Sequence, residues 1–290
     1  MKPIEGVITA MATPFEQSGA VDTDAARRLA THLLEHGSHG LVIAGTTGEC
    51  PTLTDEEEIE LLKAVRAEAG DDILLVCGTG TNDTRHSREL TKKAAEAGAD
   101  ASLVVAPYYN KPNRAGLRAH FEAVAEAVPE LPMVVYNIPA RVVINMPPDL
   151  LAELATVDNI VAVKQANDED LAPVEGLTVL AGNDNTFCRV LEFGGGGGIT
   201  VASHIVGEQM RAMWDAAQGG DLDRARQIDA ELTPVYEGLS VTTNPIPLKA
   251  ALELLGLAAD RLRLPLVPAD AEQRAAVKAA LDGAGLTTVS

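Results

Sequence analysis

Residues 41–70 read LVIAGTTGECPTLTDEEEIELLKAVRAEAG, and this single unit carries the plan of the chain. Leu41–Ala44 is a short apolar run of strand type. Thr54-Asp55-Glu56-Glu57 has the form of a capping box, in which the Thr54 hydroxyl and the Glu57 carboxylate each satisfy a free amide of a first helical turn. Ile59, Leu62 and Val65 then fall on one helical stripe. Gly70 stands where that helix must stop, because glycine accepts the left-handed cap conformation. The stretch therefore predicts a strand, a loop, a capped amphipathic helix and a stop.

Working outward, the same unit recurs. Apolar runs begin near Val7, Leu41, Ile73, Leu103, Met133, Val161, Val179 and Ile199. Each of the first five is followed by a helix-like segment, and Gly37 and Gly98 occupy further stop positions. Strands alternating with helices imply right-handed βαβ crossovers and a parallel sheet. Eight such strands without a domain break predict a closed (β/α)8 barrel over residues 1–220, with an open doubly wound sheet as the alternative. Beyond about residue 220 the strand signals end. Segments 221–238, 246–256 and 270–283 read as helices, with Pro245, Pro247, Pro265 and Pro268 at the junctions, so 221–290 is expected to form a C-terminal helical extension.

Composition narrows the classes of function. A chain of 290 residues buries a large core. Its formal charge of −19 repels nucleic acid and anionic membrane, and no partner of either kind is expected. No stretch approaches the ~20 apolar residues of a membrane span. The start, Met1-Lys2-Pro3-Ile4-Glu5-Gly6, lacks the apolar core of a signal peptide. Cys50, Cys77 and Cys188 are odd in number and widely spaced, which fits free thiols in a reducing cytoplasm.

Chemistry-bearing residues gather at the ends of the apolar runs. Lys164 closes Val161-Ala162-Val163-Lys164, where a barrel strand opens onto the catalytic face. Partial burial disfavours an ammonium and supplies the neutral amine that attacks a ketone. The plainer reading is a lysine snorkelling out of a strand end. Tyr136 and Arg141 lie in Tyr136-Asn137-Ile138-Pro139-Ala140-Arg141, one strand earlier. The phenol can relay protons to a carbinolamine, and the guanidinium offers a planar fork to a carboxylate. A wall tyrosine and a surface arginine are the plainer reading.

Gly45-Thr46-Thr47-Gly48-Glu49 follows the second strand, and its amides and hydroxyls suit a carboxylate, although it is also an ordinary βα turn. Pro107-Tyr108-Tyr109-Asn110-Lys111-Pro112 follows the fourth and suits a site lid or a subunit contact. Together the four segments follow strands two, four, five and six, all at one end of the barrel. Two other patterns carry less. His32-Leu33-Leu34-Glu35-His36 matches an inverted zinc-peptidase motif but sits at the end of the first outer helix. The run Gly194–Gly198 lacks a Walker lysine and fits a backbone pressed against a ligand or a packed neighbour.

On GTTGE (45–49), PYYN (107–110), YNIPAR (136–141), VK (163–164), AGND (181–184) and NPIPLK (244–249), the chain resembles the dihydrodipicolinate synthase/N-acetylneuraminate lyase family from Gly6 to about Leu266. The resemblance implies that Lys164 forms an imine with pyruvate. Tyr136 is then the proton donor and acceptor, coupled through Thr46 to Tyr109 of a neighbouring subunit. It further implies that Thr47 holds the pyruvate carboxylate, that the Ile199 backbone lies near bound pyruvate, that Arg141 receives the second substrate's carboxylate and that Gly182 lines the site. No metal or organic cofactor is implied, and the expected assembly is a homotetramer of two tight dimers.

Within the family, Arg141 together with Thr46 favours condensation of pyruvate with L-aspartate 4-semialdehyde, a step towards diaminopimelate and lysine. Sialic acid lyases usually carry an apolar residue and serine at those positions. The alternatives are a class I aldolase for a sugar-acid or other aldehyde, and a non-catalytic keto-acid-binding protein. The sequence departs from the family at Val142-Val143, where a threonine and a glycine are frequent, and at Gln165, where glutamate is frequent. It departs again at Cys50, Glu58 and His86, where the allosteric lysine site of some members has serine, histidine and glutamate, while Asn82 and Tyr108 remain.

Overall fold

A computed structural model describes residues 2–289. Eight strands, β1 (Gly6–Ala10), β2 (Gly40–Ile43), β3 (Leu74–Gly78), β4 (Ala101–Val105), β5 (Met133–Asn137), β6 (Ile160–Gln165), β7 (Thr178–Ala181) and β8 (Gly197–Thr200), close into a parallel barrel in sequence order. The sheet shuts where β8 pairs with β1, Ile199 opposite Ile8. This closure explains the glycine run. A Cβ on Gly197 would lie 2.3 Å from the Gly6 carbonyl oxygen, and one on Gly196 2.3 Å from Thr178 Cγ2. The run is a packed seam.

The outer helices are α1 (Thr23–Glu35), α2 (Asp55–Ala69), α3 (Thr84–Glu96), α4 (Arg114–Ala125), α5 (Pro139–Val142), α6 (Pro148–Leu154), α7 (Phe187–Glu192) and α8 (Ser203–Gln218). The ring is uneven after β5 and β6. Prolines at 139, 147 and 148 split the segment after β5 into two short helices, since each ring fits only a first helical turn. After β6 only a single 3-10 turn forms, Asp168–Asp170. Pro173 and Gly176 keep the remaining residues before β7 from continuing as a helix. The capping box of α2 is present in full, with Thr54 Oγ1 accepting from Glu57 N at 3.2 Å. Its buried face runs through Glu58, Leu61, Leu62 and Val65, leaving Ile59 half-buried. The stripe is thus turned by about one residue from the expected one, and it carries a carboxyl inward.

His32 and His36 stack at the end of α1, ring centroids 4.1 Å apart, and His36 Nδ1 engages the His32 carbonyl at 2.7 Å. Three more helices follow the barrel: α9 (Leu222–Gly238), α10 (Ile246–Leu254) and α11 (Ala271–Gly283). Ile228, Leu232 and Val235 of α9 join Met210, Met213 and Trp214 of α8 in one apolar core, with Val277 and Leu281 of α11. The chain then returns to the barrel mouth, where Asn244 and α10 meet the loop after β2. No helix of the described residues is long and apolar enough to cross a membrane.

Candidate active site

Six of the eight predicted residues meet at the barrel mouth. Lys164 on β6 is directly opposite Tyr136 on β5. Both point into the mouth, each only 5% exposed, with Lys164 Nζ 4.5 Å from the centre of the Tyr136 ring. They open onto a cavity of about 450 Å³ that Thr46, Thr47, Arg141 and Gly182 also line. A Cβ on Gly182 would stand 2.7 Å from Ala166 Cβ and 2.8 Å from the Gln165 carbonyl oxygen, so the wall admits only glycine there. Asn244 Nδ2 donates to Thr47 Oγ1 at 2.9 Å. The hydroxyl, having accepted that bond, keeps its own proton free to donate. The mouth thus holds a buried amine, a phenol beside it, and hydroxyl and guanidinium donors within one small chamber.

A family model described as the dihydrodipicolinate synthetase family matches residues 3–284. The chain belongs to the dihydrodipicolinate synthetase family. Among curated relatives, it is 47% identical over 293 residues to a 4-hydroxy-tetrahydrodipicolinate synthase of Synechococcus elongatus, covering 99% of this chain and 98% of that one. It is 44% identical over 288 residues to the synthase of that name from Moorella thermoacetica, with 97% and 98% covered. Among solved structures, the DHDPS of Cyanidioschyzon merolae with lysine bound superposes with a TM-score of 0.93 at 40% identity, over 98% of this chain and 100% of that one. The chloride-inhibited dihydrodipicolinate synthase of Acinetobacter baumannii, complexed with pyruvate, does so with 0.94 at 36% identity, over 98% and 99%.

In this member of the dihydrodipicolinate synthetase family the electrostatics of the pair are set chiefly by burial. Burial lowers the Lys164 amine from 10.5 to about 8; the Asp184 carboxylate works against the shift and the Arg141 guanidinium works with it. Burial pushes the Tyr136 phenol up to about 12, against the smaller effects of Arg141 and Thr46. Near neutral pH the phenol therefore keeps its proton, while an appreciable share of Lys164 is uncharged.

The remaining predicted residues take varied positions. Arg141 is exposed on the rim, its Nη2 donating to the Asn244 carbonyl at 3.0 Å and to Thr243 Oγ1 at 3.3 Å. Ile199 is fully buried on β8 and does not line the cavity; Val201 does. Tyr109 is 87% exposed, has φ +71°, and also stands outside the cavity. Its neighbour Tyr108 faces a second cavity of about 420 Å³, which shares Thr46, Ile138 and Arg141 with the first.

The departures at Cys50, Glu58 and His86 fall in that second cavity. There the Glu58 carboxyl is pushed up to about 9, first by burial and then by Asp55 and Glu57, and its Oε2 has no partner. His86 is committed to Asp55 at 2.7 Å.

Sequence reasoning missed three contributions. Asp184 lines the first cavity, its Oδ1 accepting from Val201 N at 2.8 Å and Ala202 N at 3.1 Å; it lay within the AGND motif without a role. Asn244 opened the NPIPLK motif in the same way. Thr233, Tyr236, Glu237 and Ser240 form a wall from α9 and its end, where an amphipathic helix gives no sign of which polar residues face a chamber.

Proposed function

We infer that this chain condenses pyruvate with L-aspartate 4-semialdehyde to 4-hydroxy-tetrahydrodipicolinate, through a Schiff base on Lys164, in lysine and diaminopimelate biosynthesis. The observation that carries the mechanism is a buried lysine of depressed basicity in contact with a protonated tyrosine.

Neutral Lys164 Nζ adds to the pyruvate ketone carbon, and the carbinolamine loses its hydroxyl as water after taking a proton from Tyr136. The resulting iminium acidifies C3, whose proton returns to the phenolate and leaves an enamine. The enamine carbon attacks the aldehyde carbon, and the aldehyde oxygen takes the Tyr136 proton to become the 4-hydroxyl; the phenolate recovers a proton from the amine that adds next. The amine of the second substrate then adds to C2, closes the ring and displaces Lys164. In this reading Thr47 donates to the pyruvate carboxylate, Thr46 sits in the proton path, Gly182 leaves room at the wall and Arg141 takes the carboxylate of the aldehyde. Holding both reactants in one chamber contributes up to ~7–11 kcal/mol where alignment is close.

Tyr109 completes the relay only from another copy, because in its own subunit it stands 87% exposed outside the cavity. A shared Tyr109 needs at least a dimer, and likeness to the family extends the proposal to a homotetramer of two tight dimers. A cytoplasmic setting belongs to it as well, and three free cysteines, Cys50, Cys77 and Cys188, suit that setting. Borohydride reduction in the presence of pyruvate, followed by peptide mapping, should mark Lys164. Turnover with aspartate semialdehyde should exceed that with sugar aldehydes. An unmodified Lys164 refutes the mechanism, and a preference for sugar aldehydes refutes the substrate. Sedimentation showing a fully active monomer refutes the shared relay.

A further inference from the structure

The loop that carries Thr46 and Thr47 is bracketed by two non-glycine residues in the left-handed region, Ala44 at φ +54° and Glu49 at φ +58°. Residues with a Cβ disfavour that conformation, so the surroundings must hold the loop in it. The restraints come largely from the C-terminal extension. Glu49 and Lys249 of α10 form an ion pair with side chains only 1% and 2% exposed. The second carboxylate oxygen of Glu49 accepts from Arg263 N at 3.0 Å, and Lys249 Nζ also donates to the Arg261 carbonyl at 2.6 Å. The Phe15 ring has Lys249 Nζ 4.2 Å from its centre and the Arg263 guanidinium carbon 4.6 Å from it. A clamp on the far end of the loop reaches the chemistry only if something ties it to the ligand-facing hydroxyls. Asn244, just ahead of α10, supplies that tie by donating to Thr47 Oγ1.

We propose that Glu49 and Lys249 are positioning residues for keto-acid capture: through their buried pair and through Asn244, the helical extension sets the conformation in which the Thr46–Thr47 loop meets the pyruvate carboxylate. The proposal rests on the Schiff-base reading and deepens it. Neither charge touches the reacting atoms. The pair holds the loop end against α10, and Asn244 orients the Thr47 hydroxyl with its proton turned towards the ligand. Removing one partner alone would strand a buried charge, whereas replacing both by neutral groups of similar size leaves a packable interior.

The test uses the full chain with Glu49→Gln and Lys249→Met together, and Asn244→Ala separately. Borohydride trapping of pyruvate is measured against pyruvate concentration and against pH. The expected result is a rise of at least about fivefold in the half-saturating pyruvate concentration, the scale of one lost hydrogen bond. The pH midpoint of trapping, which belongs to Lys164, should stay where it is. A smaller rise overturns the proposal. So does a pH midpoint that moves along with the half-saturation, the mark of a barrel mouth loosened as a whole. Should the double variant fail to fold, Asn244→Ala decides by the same two criteria. If the unsubstituted chain traps no pyruvate on Lys164, the Schiff-base reading itself has failed; normal trapping there, with variants that saturate alike, sinks this inference alone.

Discussion

Replacing Lys164 by methionine should abolish imine capture and, at neutral pH, make the protein more stable. An ordinary lysine amine ionises at 10.5 and Lys164 at about 8. That difference of about 2.5, at ~1.36 kcal/mol for each pH unit, corresponds to roughly 3 kcal/mol, with the opposing attraction of Asp184 already inside the net value. The sign follows from proton counts. Between about 8 and 10.5 the unfolded chain holds a proton that the folded chain has released, so stability rises with pH across that window. Below it the folded state carries the full penalty, and above it none. Methionine is unbranched and of similar length, so it fills the space without a large cavity. The variant should therefore gain up to roughly 3 kcal/mol at pH 7, and the gain should vanish towards pH 10.5. Urea unfolding at fixed protein concentration, repeated across pH, measures it. A variant no more stable than the parent at pH 7, or an advantage that does not shrink as pH rises, refutes the assignment of Lys164 as a destabilised amine.

Trapping of pyruvate should rise with pH through a midpoint of about 8 and then level off, because only the neutral amine attacks; a profile still climbing at pH 10 contradicts the lowered basicity. Tyr136→Phe should lower kcat by about 10²–10⁴-fold, the usual range for a positioned proton donor, while Lys164 remains trappable at long times; an unimpaired kcat removes Tyr136 from the proton path. Arg141→Ala should cost about 1.5–3 kcal/mol in kcat/KM for the aldehyde, the worth of a charged hydrogen bond. Because the guanidinium helps depress Lys164, the same change should also move the trapping midpoint upward, and a downward shift contradicts the electrostatics.

The barrel was legible because its signals are local and repeated. Apolar runs mark the strands to within a few residues, and the Thr54–Glu57 box lies where its sequence pattern requires. The α2 face was legible only approximately, since Glu58 is inward for a reason that lies in another element, the cavity it shares with Tyr108 and Asn82. Lys164 and Tyr136 could be paired in advance because adjacent strands of a parallel barrel bring their ends side by side. Asn244 and the α9 wall could not. Their place at the mouth depends on how the chain folds back after residue 220, and the register of a docked helical extension leaves no periodic trace in sequence.

Strain shows the same division. The non-glycine residues with positive φ among those described are Ala44, Glu49, Tyr109, Lys111 and Val143. They fall in the loops after β2, β4 and β5, which are three of the four segments that the sequence singled out for chemistry. Backbone in that region persists only where neighbours over-determine it. For Glu49 and the loop it ends, those neighbours are visible: Thr13 donating to the Gly48 carbonyl at 2.7 Å, the Lys249 ammonium on Glu49 and Asn244 on Thr47. Tyr109 and Val143 are 87% and 69% exposed; Val143 donates its N–H to the Pro139 carbonyl at 2.9 Å at the end of α5, and among the described residues no buried ion pair holds either. In the proposed assembly, a second copy of the chain at the mouth would add the contact that these exposed loops lack. On that argument Tyr109 and Val143 should lose exposure together on assembly, and hydrogen exchange that protects neither loop as the protein concentration rises would break the link between strain and partner.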